Sequence, residues 1–317
     1  MRGSTGQASL FRPSSKGFTA ASLFFVAMLT AFICNTTTHA QQDDEDVVRV
    51  NSDLVVLNVT VTDKEGVYVH KLARPDFKIF EDGREQQINL FSVEETPFAA
   101  AILLDTSGSM ETRVTLARAA AIRFLEGLRE EDVASVYHFD SGVEQLQDFS
   151  PSRDLPPMAF GLSSKGMTTL NDAVVRAARD LAERPEKRRA IVILSDGMDT
   201  RSAASAEKAL NVALAANATI YAVDMSDPKT GMAERARAAG ALKNFANKSG
   251  GRYVSSPGGK ALDDAFAEIL EELSNQYTLG YRPTNRARDG RWRAIELRLS
   301  RTDLKARTRD GYRAPKN

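Results

Sequence analysis

Cysteine is nearly missing from this 317-residue chain, where Cys34 is the only one. Cys34 lies in an apolar N-terminal run that reads as a signal, so the mature chain is expected to have none, which removes disulfide bracing, a thiolate metal cage and a cysteine nucleophile. Stability has to come from a packed core, which a chain of this length can supply. Histidine is almost as scarce: His39, His70 and His138 lie far apart, without the paired spacing of an imidazole metal site. His138, inside "VASVYHF", reads as a hydrogen-bonded strand or core residue rather than a ligand. Net charge is absent too, with 42 Lys plus Arg against 42 Asp plus Glu, which removes the charge argument for a nucleic-acid binder or a basic membrane coat. The single tryptophan, Trp292, reads as packing rather than a ligand platform. There is no internal repeat and no extended low-complexity tract.

One long apolar run stands out, "FTAASLFFVAMLTAFIC" from Phe18 to Cys34. Arg2, Arg12 and Lys16 precede it and Thr38-His39-Ala40 follow it, the charged, apolar and small-residue order of a secretory signal cut after Ala40. The alternative is an uncleaved anchor, because the run approaches the roughly 20 residues of a spanning helix. Membrane contact is expected only in that case. The expected location is secreted, periplasmic or cell envelope.

The segment 41–97 starts with an acidic spacer and becomes β-rich. "DLVVLNVTVTD" puts Val55, Leu57, Val59 and Val61 on one side at period two, which predicts a half-buried strand. "FKIFEDGREQQINLF" predicts two strands around Asp82-Gly83, a dipeptide suited to a tight hairpin. From Phe98 the rhythm changes. Near-continuous apolar runs ("FAAAILL", "VASVYHF", "RAIVILS", "ATIYAVDM", "RYVSS") alternate with helical stretches near 114–128, 170–182, 206–216, 234–248 and 261–275. That pattern predicts an α/β fold over 98–276, a doubly wound and mostly parallel sheet covered by helices on both faces. The last segment, 277–317, returns to β character, with Ile295, Leu297 and Leu299 on one face. Neither terminal segment can build a core alone, so the two are expected to pair into a smaller sandwich-like domain. The twelve Lys and Arg in the last 36 residues, against four acids, read as solvated strand faces and edges.

Candidate chemistry sits at strand ends. In an open parallel sheet, ligands bind beyond the carboxyl ends of the strands. Asp105 follows "AILL", Asp196 follows "IVILS", and Thr168 and Thr169 precede a helix in "SSKGMTTLNDA". Alternate spacing lets Asp105, Ser107 and Ser109 turn inward together around Gly108. Hard cations such as Mg²⁺ take about six oxygens at about 2.0 to 2.1 Å and keep some of their waters. The cluster therefore reads as a metal site with open positions. A helix cap at Asp105 and a turn at Asp196-Gly197 would leave Ser107, Ser109 and the threonine loop without a role.

"DTSGSM", "GMTTLNDAV" and "ILSDGMD" resemble, in that order, the three metal-site segments of von Willebrand factor type A domains. The flanks, including "QYTLGYRPTN" and "RDGYRAP", are similar to a bacterial family of exported proteins related to that domain. The resemblance implies a metal-ion-dependent adhesion site made of Asp105, Ser107, Ser109, Thr168 and Asp196. It implies Ser107 and Ser109 as direct ligands and the others as ligands direct or through water. Met167 stands where the family usually has glycine. The implied cofactor is Mg²⁺, with Mn²⁺ or Ca²⁺ as alternatives. The implied partner is a protein presenting an Asp or Glu to the ion, with no nucleic acid involved. Movement of the last helix on ligand binding is a further property the resemblance implies. An enzyme is not expected, since no histidine stands in motif context beside the serines and two-metal hydrolysis wants more carboxylates. A cell-envelope assembly factor with a merely stabilising metal is the other reading.

Overall fold

The computed structural model describes residues 54–93, 96–155, 157, 159, 166–227, 229, 231–256 and 258–316. The expected signal segment and acidic spacer lie outside them. Strand β1 (Val55–Thr62) buries Val55, Leu57, Val59 and Val61, the four residues its period of two selects. Strands β2 (Phe77–Glu81) and β3 (Arg84–Gln86) form the expected hairpin, whose turn residues Asp82 and Gly83 have φ of 48° and 78°. Such angles at both central residues give the turn a twist that matches the flanking strands.

The stretch after that turn differs from expectation. A single second strand was predicted, but the chain breaks at Gln87, and β4 (Ile88–Ser92) leaves for another sheet. Gln86 marks the crossing: its side-chain Oε1 accepts from the Thr284 N–H at 3.0 Å and its side-chain Nε2 donates to the Thr284 hydroxyl at 3.1 Å. A strand that changes sheet in this way makes a corner of a sandwich.

The α/β portion runs β5 (Phe98–Asp105), α1 (Val114–Glu126), β6 (Val133–Phe139), β7 (Val143–Ser150), α2 (Leu170–Ala182), β8 (Arg188–Ser195), α3 (Ala206–Ala215), β9 (Ala218–Asp224), α4 (Met232–Ser249), β10 (Tyr253–Ser255) and α5 (Lys260–Ser274). Its six-stranded sheet has the order β10-β9-β8-β5-β6-β7, parallel except for β7 at one edge. Strand β5 is central and buried along its whole length, because its apolar residues fill both faces. One face packs under α1 and α5, where Phe124 and Phe266 meet edge to face with centroids 6.0 Å apart. The other packs under α2, α3 and α4 through Leu181, Leu210 and Phe245.

The chain closes with β11 (Tyr277–Tyr281), β12 (Trp292–Leu299), β13 (Lys305–Arg307) and β14 (Gly311–Arg313). These interleave with the N-terminal strands into two four-stranded sheets, β13-β1-β11-β4 and β14-β12-β2-β3. Val55 stands opposite Tyr281, and Leu297 opposite Ile79. A shared core of Leu57, Val59, Ile79, Tyr277, Leu279 and Tyr281 lies between them. The fold is thus mixed α/β, with a mostly parallel central sheet and antiparallel sheets built from both flanks.

The basic C-terminal segment is not all solvated, as its composition suggested. Arg298–Glu296 and Arg301–Asp303 are exposed pairs, but Arg293 and Arg309 are buried. The Arg309 guanidinium donates to the carbonyls of Leu214 (2.8 Å) and Val56 (2.9 Å), supplying β1 with a donor where β13 does not reach. Burial pushes its pKa down to about 10. Glu272, near the end of α5, is also fully buried. It accepts from the Tyr221 hydroxyl (2.9 Å) and the Thr60 hydroxyl (3.1 Å) and pairs with Arg307. Buried charges persist when paired and hydrogen-bonded, and this set joins the central sheet to the flanking strands. Among the described residues, no helix is long and apolar enough to cross a membrane.

Candidate metal centre

Strands β5 and β8 are adjacent and parallel, with Leu104 opposite Leu194, so their carboxyl ends fall side by side. Asp105 therefore emerges next to Ser195 and Asp196. Its carboxylate is buried, with Oδ1 accepting from the Ser107 N–H at 2.9 Å and Oδ2 from the Ser195 hydroxyl at 2.5 Å. The Ser195 oxygen in turn accepts from the Gly197 N–H at 2.9 Å. Ser107 begins a short 3-10 turn over Gly108–Met110, which brings its hydroxyl within 3.1 Å of the Ser109 hydroxyl.

Backbone and hydroxyl bonds lace the other loops to this one. The Gly108 N–H donates to the Gly166 carbonyl at 3.3 Å. The Thr168 carbonyl accepts from the N–H groups of Thr200 and Arg201, both at 3.0 Å, and the Thr168 N–H donates to the Thr200 hydroxyl at 2.9 Å. The Thr169 hydroxyl donates to the Asp140 carbonyl at 3.0 Å. Gly166 has φ of 72°, and a Cβ there would lie 2.2 Å from the Ser141 hydroxyl. That positive φ favours glycine.

Asp105, Ser107, Thr168 and Asp196 are all buried, while Ser109 is exposed. The five expected residues thus come from three loops joined by these hydrogen bonds, four of the residues buried and Ser109 exposed. Burial raises the Asp105 carboxyl from its ordinary 3.8 to about 7; hydrogen bonds from Ser107 and Ser195 pull the other way, and the charge of Asp196 adds to the rise. A negative charge is disfavoured at this spot until a positive one stands beside it.

The donor set suits a hard divalent cation, being carboxylate and hydroxyl oxygen throughout. Two ligands at adjacent corners of an octahedron with bonds of about 2.0 to 2.1 Å are separated by about 2.9 Å. The Ser107 and Ser109 oxygens are close to that spacing at 3.1 Å.

Other polar residues at this end are committed elsewhere. Asp224 accepts from the N–H and hydroxyl of Ser226 and from the Tyr253 hydroxyl. His138 is a strand residue, with Nδ1 3.2 Å from the Thr106 hydroxyl and Nε2 3.0 Å from Glu144. Both its nitrogens are thereby engaged away from Ser107 and Ser109. Asp199 caps α2 through the Asn171 N–H at 2.7 Å, and the Asp172 carboxylate receives the N–H groups of Ala203 and Ala204, both at 2.9 Å. These crosswise bonds hold the second and third loops together. Ser195 as a partner of Asp105 is not among the residues the sequence singles out. A serine directly before the aspartate that ends an apolar strand was the available signal.

Residues 100–198 match the family model described as von Willebrand factor type A domain. Among curated proteins, none matches the chain. Among solved structures, the chain is similar to the PilB minor pilin from Streptococcus sanguinis at 16% identity and TM-score 0.45, covering 57% of this chain and 62% of that one. That is less than two thirds of the pilin's length. It is also similar to BatB from Bacteroides thetaiotaomicron (18% identity, 56% of this chain, 98% of that one, TM-score 0.43). A third likeness is to the vWF domain of the type V pili tip protein Mfa5 from Porphyromonas gingivalis (13% identity, 56% and 95% coverage, TM-score 0.46).

Proposed function

From the premise that this chain carries a von Willebrand factor type A domain, we propose that it is an exported adhesion or protein-interaction module that captures an acidic residue of a partner protein through Mg²⁺. Ser107 and Ser109 would bind the ion directly, and Asp105, Thr168 and Asp196 would bind it directly or through water. Mn²⁺ and Ca²⁺ suit the same oxygens. The ion, when bound, supplies a Lewis-acidic position for a partner's carboxylate. The chain's own residues set how strong that position is. Only two of the five donors carry charge, so the set does not neutralise a divalent cation fully. Asp105 is held by Ser107 and Ser195, which fixes its orientation. Ser109 stands at the exposed side, where a partner can approach.

The observation that carries this reading is the convergence of three hydrogen-bonded loops on a buried carboxylate at the carboxyl ends of adjacent parallel strands. The test is calorimetric titration of Mg²⁺ and Mn²⁺ into the protein, and into a Ser107→Ala, Ser109→Ala variant whose circular dichroism melt is compared with wild type. One ion per chain is expected for the wild type, and a loss of binding with an unchanged melting profile for the variant. Equal metal uptake by both proteins, or none by the wild type, sinks the proposal.

A further inference from the structure

Arg201 is fixed against the threonine loop. Its N–H donates to the Thr168 carbonyl at 3.0 Å, and its Nη1 lies 4.0 Å from the Met167 sulfur. Arg201 and Met167 are both exposed, Met167 by 49%, although they flank the buried Thr168. An exposed thioether one residue from a buried polar cluster adds nothing to the core. Arg113, near the same strand ends, shows the contrast: it is buried, donates to the Met225 carbonyl and pairs with Asp227 at 3.4 Å. Arg201 makes no ion pair among the described residues. The neighbouring acid Asp199 spends its carboxylate on the Asn171 N–H and on the N–H and hydroxyl of Ser202.

Resting on the metal-site reading above, we propose that Arg201, steadied by Met167, is a second contact beside the ion and selects a partner segment with two carboxylates at alternate positions. A guanidinium takes a carboxylate through two parallel hydrogen bonds, and its orientation against Met167 lowers the ordering cost of doing so. In an extended segment, side chains two residues apart lie on one side at about 7 Å. The first acid then completes the metal shell, and the second reaches across the threonine loop to Arg201. A glutamate in the second place lays its methylene stem along the Met167 thioether.

The test uses two synthetic peptides of equal length in Mg²⁺, one with the core Gly-Asp-Gly-Gly and one with Gly-Asp-Gly-Glu, each repeated in EDTA. The wild-type protein is expected to bind the diacid about two- to fivefold more tightly, the size of an exposed guanidinium–carboxylate contact. In Arg201→Gln the two peptides are expected to bind alike. Equal binding of both by the wild type, or a preference that survives in the variant, overturns the role of Arg201 and leaves the metal site standing. If neither peptide binds above its level in EDTA, the metal-site reading fails and the second contact falls with it.

Discussion

Replacing Asp105 by asparagine keeps the shape of the side chain and removes its charge, which separates the cost of burying that charge from everything else in the cluster. The carboxyl titrates at about 7 in the folded chain against an ordinary 3.8, chiefly because it is buried. The folded state therefore holds its proton more tightly than the unfolded state, and stability falls as pH rises. This group costs nothing below about pH 4, its penalty grows between pH 4 and 7, and the loss is complete above pH 7. At 1.36 kcal/mol per unit, the full penalty is about 4 kcal/mol. At about 2 to 4 °C per kcal/mol for a chain of this size, that is a difference of about 10 °C in Tm. Asparagine avoids the penalty, and Ser195 can turn its hydroxyl to accept from the new amide. In EDTA, D105N is expected to melt with the wild type at pH 4 and well above it at pH 7.5. Mg²⁺ at about a hundred times its Kd should return about 2.7 kcal/mol to the wild type and nothing to the variant. Scanning calorimetry at the two pH values, with and without Mg²⁺, reads all four states. If the two proteins melt together at pH 7.5 in EDTA, the burial cost is wrong. If D105N gains as much from Mg²⁺ as the wild type does, Asp105 does not serve the ion.

Gly166→Ala places a Cβ 2.2 Å from the Ser141 hydroxyl at a φ of 72°, and should cost about 1 to 3 kcal/mol. Urea unfolding measures it, and adding Ser141→Ala should return the steric part while leaving the backbone strain. Glu272→Ala leaves the buried ends of Tyr221 and Thr60 and the charge of Arg307 without their shared acceptor. A loss of about 3 kcal/mol is expected, with the double variant E272A/R307A more stable than E272A alone. A double variant no better than the single one would mean that Arg307 is satisfied without Glu272.

Much of the frame was legible because local chemistry and tertiary role agreed. Strand β1 alternates, β5 is apolar throughout, and α2 runs over the residues its periodicity selects, so each element could be read from its own residues. The Asp82-Gly83 hairpin was legible for the same reason. The sheet change at Gln87 was not, since nothing within "REQQINLF" says that Thr284, nearly two hundred residues away, clips the corner. The buried charges Arg309 and Glu272 were likewise hidden. Each sits in a charged stretch that reads as surface, and burial became possible only once partners from distant elements arrived.

The candidate site divides along the same line. Its oxygen-bearing residues were evident in the sequence, because small hydroxyl and carboxylate side chains directly after apolar strands have no packing role there. Their meeting place was decided by the tertiary structure. Parallel pairing of β5 with β8 sets Asp105 beside Ser195 and Asp196, and hydrogen bonds from Gly108, Thr200 and Arg201 draw in the threonine loop. Residue types and spacing depend on neighbours in the chain, so the sequence could declare them. Convergence, burial and the raised affinity of Asp105 for its proton depend on neighbours in space, and those exist only after the sheet has formed.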